Sequence, residues 1–176
     1  MKLKDMPSLI KAFIDEEGVP HQYSIIEACL RRILQEMSPG SDRSPHPEQI
    51  RTVRRLVYGK GDTLLIARTG FGKSLILHSF SILTEKITLQ IIPLNKLGDQ
   101  QLNDISKLGN ARPCILNADS KQREKDLIEQ IQCGKYTHVL LSPEQAVSKQ
   151  FRNALSQPEL QSKIGLVAID ECHLVK

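Results

Sequence analysis

The chain has 176 residues, 40% of them hydrophobic and 25% charged, with a net charge of +4 at neutral pH. Those figures are typical of an ordinary soluble globular protein that is long enough to bury a core. No stretch nears the roughly 18 consecutive apolar residues of a membrane span, the start MKLKDMPSLIKAFIDEEG is too charged for a secretory signal, and Cys29, Cys114, Cys133 and Cys172 have neither zinc-site nor disulfide-framework spacing. No membrane partner is expected, and a reducing intracellular compartment is the default. The mild positive charge permits a nucleic-acid surface without arguing for one, because Lys and Arg are scattered along the chain rather than gathered in one basic run.

From Met1 to about Arg43 the pattern is helical. Leu9, Ile10, Phe13 and Ile14 recur at helix spacing, and so do Ile25, Ile26, Cys29, Leu30, Ile33 and Leu34. Gly18-Val19-Pro20 separates the two helices, and Ser38–Pro47 reads as a linker. Beyond Pro47 the chain alternates between helix and strand. Helices are expected at about Glu48–Tyr58, Lys73–Thr84, Lys96–Leu108, Lys121–Gln132 and Glu144–Leu155. Short apolar strands are expected at Thr63–Ala67, Thr88–Ile92, Pro113–Leu116, His138–Leu141 and Leu166–Ile169. Such alternation predicts an α/β fold, a parallel sheet with helices on both faces, in which ligands gather at the carboxyl ends of the strands.

Two of those strand ends carry chemistry. The run TLLIARTGFGKSLIL, Thr63 to Leu77, is an apolar strand pattern, a glycine-punctuated loop and the start of a helix. In such a loop backbone N–H groups curl around phosphate oxygens, and the helix aims the positive end of its dipole at them. Gly70 and Gly72 permit backbone dihedrals and close approaches that a Cβ forbids. Lys73 can place its ammonium between the outer phosphates, and Ser74 can offer a hydroxyl to Mg2+. Ala67 stands where the general pattern has its first glycine. The expected ligand is a nucleoside triphosphate. Farther on, the apolar run Leu166–Ile169 delivers Asp170-Glu171-Cys172-His173 at its tip. A carboxylate on a neighbouring strand end holds the magnesium ion in phosphate-loop enzymes, a role Asp170 can fill. Glu171 can polarise the water that attacks the γ-phosphate.

Together these residues resemble motifs I and II of superfamily 2 helicases, the DEAH type with Cys172 in the third place. Ile92-Pro93-Leu94-Asn95-Lys96-Leu97-Gly98-Asp99-Gln100 resembles motif Ia of RecQ-like DNA helicases, one residue shorter between Leu97 and Asp99. Leu141-Ser142-Pro143-Glu144 resembles their motif Ib, and Pro47-Glu48-Gln49 the end of their motif 0, with Pro45 and His46 in place of its aromatic and arginine. The similarity covers roughly residues 45 to 176 and divides the chain into a helical segment, 1–43, and part of a first RecA-like domain, 44–176. By position it implies that Gln49 recognises the adenine of ATP, that Thr69, Gly70, Phe71, Gly72, Lys73 and Ser74 hold the phosphates, and that Ser74 and Asp170 serve Mg2+. It implies that Lys73, Asp170 and Glu171 carry hydrolysis and that His173 couples hydrolysis to DNA. Pro93, Leu94, Asn95, Lys96, Ser142 and Pro143 would line a track for single-stranded DNA.

The family's second RecA-like domain, with its arginine finger, is absent from these residues, so the chain alone is expected to bind ATP weakly and not to unwind DNA. Within the resemblance the full enzyme unwinds 3′ to 5′ and, in a eukaryote, works in the nucleus. The alternatives are a DEAD/DEAH-type RNA helicase fragment and a non-catalytic ATP- or DNA-binding module acting through partners.

Overall fold

The computed structural model describes residues 18–59, 61–68, 70–93, 96–108 and 111–170, the side chains of Lys96 and Leu97 excepted. The helix expected around Leu9–Ile14 lies outside the described residues. Two compact units divide the chain, Met1–Glu85 and Lys86–Lys176.

The regular structure of the first unit, among the described residues, is helical. Helix α1 (Val19–Met37) starts at the Gly18-Val19-Pro20 break, with Pro20 in the first turn, where its missing N–H has no intrahelical partner to lose. Ile26, Cys29, Leu30 and Ile33 form its fully buried stripe, and it packs on α2 (Pro47–Tyr58) and α3 (Lys73–Thr84). Burial pushes the Cys29 thiol up to about 12, so it behaves as a small apolar core group. The strand expected at Thr63–Ala67 does not form. Residues 62–68 have no regular structure, and Leu64 and Ile66 leave 78% and 88% of their surface exposed. An apolar alternation becomes a strand only when a ladder partner satisfies its backbone, and no ladder reaches this segment among the described residues.

The second unit holds a four-stranded, all-parallel sheet of order β2-β3-β1-β4. Its strands are β1 (Ile87–Ile91), β2 (Pro113–Leu116), β3 (His138–Leu141) and β4 (Ile164–Ile169). Helices cover both faces, as the alternation predicts. Ile87, Leu89, Cys114, Leu116, Val139 and Leu141 point to one face, where they meet α6 (Leu127–Gln132), α8 (Lys149–Leu155) and α9 (Pro158–Lys163) through Ile131, Phe151 and Leu160. Leu140 and Ile92 point to the other and pack on Ile105 of α4 (Lys96–Ser106). The sheet is not closed. β4 is less covered than β1 or β3, with Val167 and Ile169 more than half exposed.

Two expected helices are each divided. Lys121–Gln132 becomes α5 (Ala118–Arg123) and α6, because Asn117 Oδ1 caps the first by accepting from Ser120 N at 2.7 Å, while only α6 carries residues that reach the core. Glu144–Leu155 becomes α7 (Pro143–Ala146) and α8, because Ser148 is extended and its hydroxyl accepts from Phe151 N at 3.3 Å, restarting the helix. No described helix is long and apolar enough to cross a membrane.

His138 opens β3 with only 2% of its surface exposed, and burial pushes its imidazole down to about 4. The unfolded chain therefore binds this proton more readily than the folded one. Stability from this residue is complete above the unfolded value of about 6.5 and is lost as pH falls toward 4. The urea midpoint of the second unit should drop between pH 8 and pH 5, by the equivalent of about 2 kcal/mol. His138→Gln should flatten that profile, and an unchanged slope in the variant would remove His138 as its source.

Candidate functional site

The glycine-rich loop of the first unit is built by backbone conformation. Gly70 (φ 81°) and Gly72 (φ 84°) are both left-handed, a region that costs a side-chain-bearing residue about 1 kcal/mol or more. Phe71 N donates to Arg68 O at 3.2 Å between them. The loop then enters α3 at Lys73, where Gly72 is the N-cap and no side chain caps the helix, nor does an acidic residue occupy the first turn. A twelve-residue helix thus presents its leading N–H groups and the positive end of its dipole, and no acidic side chain of its own first turn offsets that charge. Lys73 and Ser74 are half-buried in that first turn.

Gln49 holds the loop from outside. It sits in the first turn of α2, 7% exposed, where its Oε1 accepts from His46 N at 2.7 Å and its Nε2 donates to Phe71 O at 2.6 Å. The His46 and Phe71 rings lie 5.9 Å apart at a tilt of 48°. One amide therefore joins the start of α2 to the middle of the loop, a contact between residues 22 apart in sequence. No sequence signal announced it, because the pattern that singles out Gln49 concerns a ligand rather than the loop.

In the second unit the sheet brings together residues that are far apart in the chain. Leu116, Leu141, Ile91 and Ile169 are in register in one row across the four strands. Asp170, Ser142 and Pro93 follow three of those strands directly or within two residues, so all lie at the carboxyl edge of the sheet. Asp170 is half-buried and donates its N–H to Ile91 O at 3.0 Å. Ser142 is the N-cap of α7, its hydroxyl accepting from Gln145 N at 3.3 Å, and Pro143 takes the first helical turn. The Ser142 hydroxyl also holds the Glu144 carboxyl below its ordinary range. Lys96 opens α4. Thr69, Leu94, Asn95, Glu171 and His173, named from the sequence, lie outside the described residues.

The contact that positions the loop makes a prediction. A Cβ on Gly72 would lie 2.6 Å from Gln49 Nε2, and the residue is left-handed as well. Gly72→Ala should destabilise the first unit by about 2 kcal/mol, from backbone strain and the displaced amide together. In a Gln49→Ala background the same substitution should cost about 1 kcal/mol, since only the strain remains. Equal costs in the two backgrounds, measured by urea unfolding, would show that Gln49 does not clamp the loop.

Comparison with known proteins agrees with this geometry. The DEAD/DEAH box helicase family model matches residues 46–176. The chain is 27% identical over 129 residues to the mouse bifunctional 3′-5′ exonuclease/ATP-dependent helicase WRN, covering 73% of this chain and 9% of that protein. It is 28% identical over 148 residues to the ATP-dependent DNA helicase RecQ of Synechocystis, 84% of this chain and 29% of that one. With the rat ATP-dependent DNA helicase Q1 it shares 31% over 131 residues, 72% of this chain and 21% of its relative. The chain thus spans under a third of the length of each of these relatives. With its glycine loop, parallel sheet and motifs in matching order, this chain belongs to the DEAD/DEAH box helicase family.

Proposed function

We propose that residues 44–176 form part of the first RecA-like lobe of an ATP-dependent, RecQ-like DNA helicase, preceded by a helical segment at residues 1–43. The observation that carries this reading is the loop Ala67–Ser74, in which two left-handed glycines lead into the uncapped N-terminus of α3. That arrangement suits the phosphates of a nucleoside triphosphate, because unsatisfied N–H groups and the helix dipole both favour negative charge there.

Within this reading Lys73 neutralises the outer phosphates, while Thr69, Gly70, Phe71 and Gly72 supply loop backbone to them. Gln49 reads adenine with the same amide that clamps the loop, so recognition exchanges its bonds to His46 and Phe71. A magnesium ion, when bound, offsets phosphate charge. The hard oxygen donors of Ser74 and Asp170 are the groups that would hold it. Glu171 orients and deprotonates the attacking water, and His173 links the ATP site to DNA engagement. Pro93, Leu94, Asn95, Lys96, Ser142 and Pro143 form a track for one DNA strand. For Pro93, Ser142 and Pro143 the support is their common place at the carboxyl edge of the sheet. Small polar groups and backbone amides grip phosphates there without reading bases. A second RecA-like domain is the partner that completes the motor, unwinding runs 3′ to 5′, and the location is intracellular, nuclear in a eukaryote.

Two measurements test the assignment. Lys73→Ala should abolish the ATP–magnesium binding heat seen by calorimetry with the unsubstituted chain, because the phosphates lose their main cationic partner. Undiminished affinity would sink the phosphate-loop reading. Glu171→Gln, assayed with the second lobe present, should retain nucleotide affinity and lose turnover. Retained turnover would take the base role away from Glu171.

A further inference from the structure

Helix α2 has a second face. Gln49 and Val53 are buried on one side, whereas Arg51, Arg54, Arg55 and Tyr58 fall, at about 100° per residue, within one sector on the opposite side. These four, with Tyr23 of α1 and Thr63, line an open cleft of about 670 Å³ in the first unit.

Each guanidinium is held in place. Arg54 donates Nε to Gln22 Oε1 at 3.0 Å and stacks over the Tyr23 ring, 5.3 Å from its centroid. Arg55 donates Nε to Thr63 Oγ1 at 3.1 Å and Nη2 to Asp62 O at 3.2 Å. Those acceptors are neutral, so they orient the two charges without cancelling them. Arg51 pairs with Glu48 at 2.9 Å, but the side chains are 65% and 55% exposed, and such surface pairs are worth about 0–1 kcal/mol, so a ligand anion can replace the carboxylate.

We propose that this cleft binds the phosphate backbone of nucleic acid, on the face of α2 opposite the glycine-rich loop. Three arginines rather than lysines favour planar, bidentate oxyanion recognition. Arg51 and Arg55 are separated by about 6 Å of helix rise. Phosphates advance about 3.4 Å per nucleotide along one strand of a duplex, so two to three successive phosphates lie within reach. A row of fixed spacing fits a regular polyanion better than the irregular carboxylates of an acidic peptide. The choice of nucleic acid as the polyanion rests on the helicase reading above.

The test is fluorescence anisotropy of this chain with a labelled DNA single strand and the matching duplex over a salt series. The double variant Arg51→Ala/Arg55→Ala should bind about tenfold more weakly whatever the sequence, and its slope of log affinity against log salt should fall by about 2. Arg51→Lys/Arg55→Lys should keep that slope, which separates lost charge from a disturbed fold. An unchanged slope in the alanine variant overturns the proposal. So does loss of the slope in the lysine variant, or polyglutamate displacing the DNA as well as unlabelled DNA does at equal charge. ATP binding is measured in parallel. Its absence with the salt result intact defeats the nucleotide reading alone, and normal ATP binding with an unchanged slope defeats the cleft alone.

Discussion

Parallel strands cannot be joined by a tight turn, and the second unit follows from that constraint. Each return from the end of one strand to the start of the next must cross a face of the sheet, and helices make those crossings. Both faces are therefore covered, which is why β3 is buried along its whole length and β1 along nearly all of it, the polar Thr88 and Gln90 included. Every strand also ends at the same edge. The row Leu116, Leu141, Ile91 and Ile169 fixes where that edge lies, and the polar residues that follow it are gathered without any local signal bringing them together. A carboxylate at Asp170 and a hydroxyl at Ser142 share an edge because their strands share a direction.

The first unit reaches a comparable result by a different route. Its loop depends on two glycines in a conformation that other residues resist, and on one amide side chain engaged at both ends. The glycines leave the backbone free to turn, and Gln49 removes part of that freedom again by holding Phe71 O. A loop shaped in advance loses less entropy on meeting a ligand than one that must be ordered by it. At the start of α3 the N-cap is Gly72, which brings no capping oxygen of its own to the first-turn N–H groups.

The order of elements was legible from apolar periodicity. Helices at Pro47–Tyr58 and Lys73–Thr84 and strands at Pro113–Leu116 and His138–Leu141 stand where the pattern places them. Periodicity was less informative at helix joints, because Asn117 and Ser148 are short side chains whose capping role depends on the chain turning there. It was misleading at Thr63–Ala67. The alternation of Leu64 and Ile66 is a genuine strand pattern, but a strand is a property of a pair of segments and the pattern belongs to only one. Of the candidate site, the residue types and their order along the chain were legible. The Gln49–Phe71 bond was not, since nothing local links residues so far apart.

The alternation of helix and strand, the glycine-punctuated turn at Gly70 and Gly72 that leads into a helix, and the membership of the helicase family all follow from short-range spacing and residue type. Which side chains meet is settled by packing between elements. Arg51, Arg54 and Arg55 read as scattered surface charge until the helical turn of α2 puts them on one stripe and α1 brings Tyr23 and Gln22 beside Arg54. Gln49 became the clamp of the loop only once α2 packed beside it. Spacing along a chain sets what each segment can form, whereas the partner that satisfies a buried polar group or orients a charge comes from another segment, and packing alone selects it.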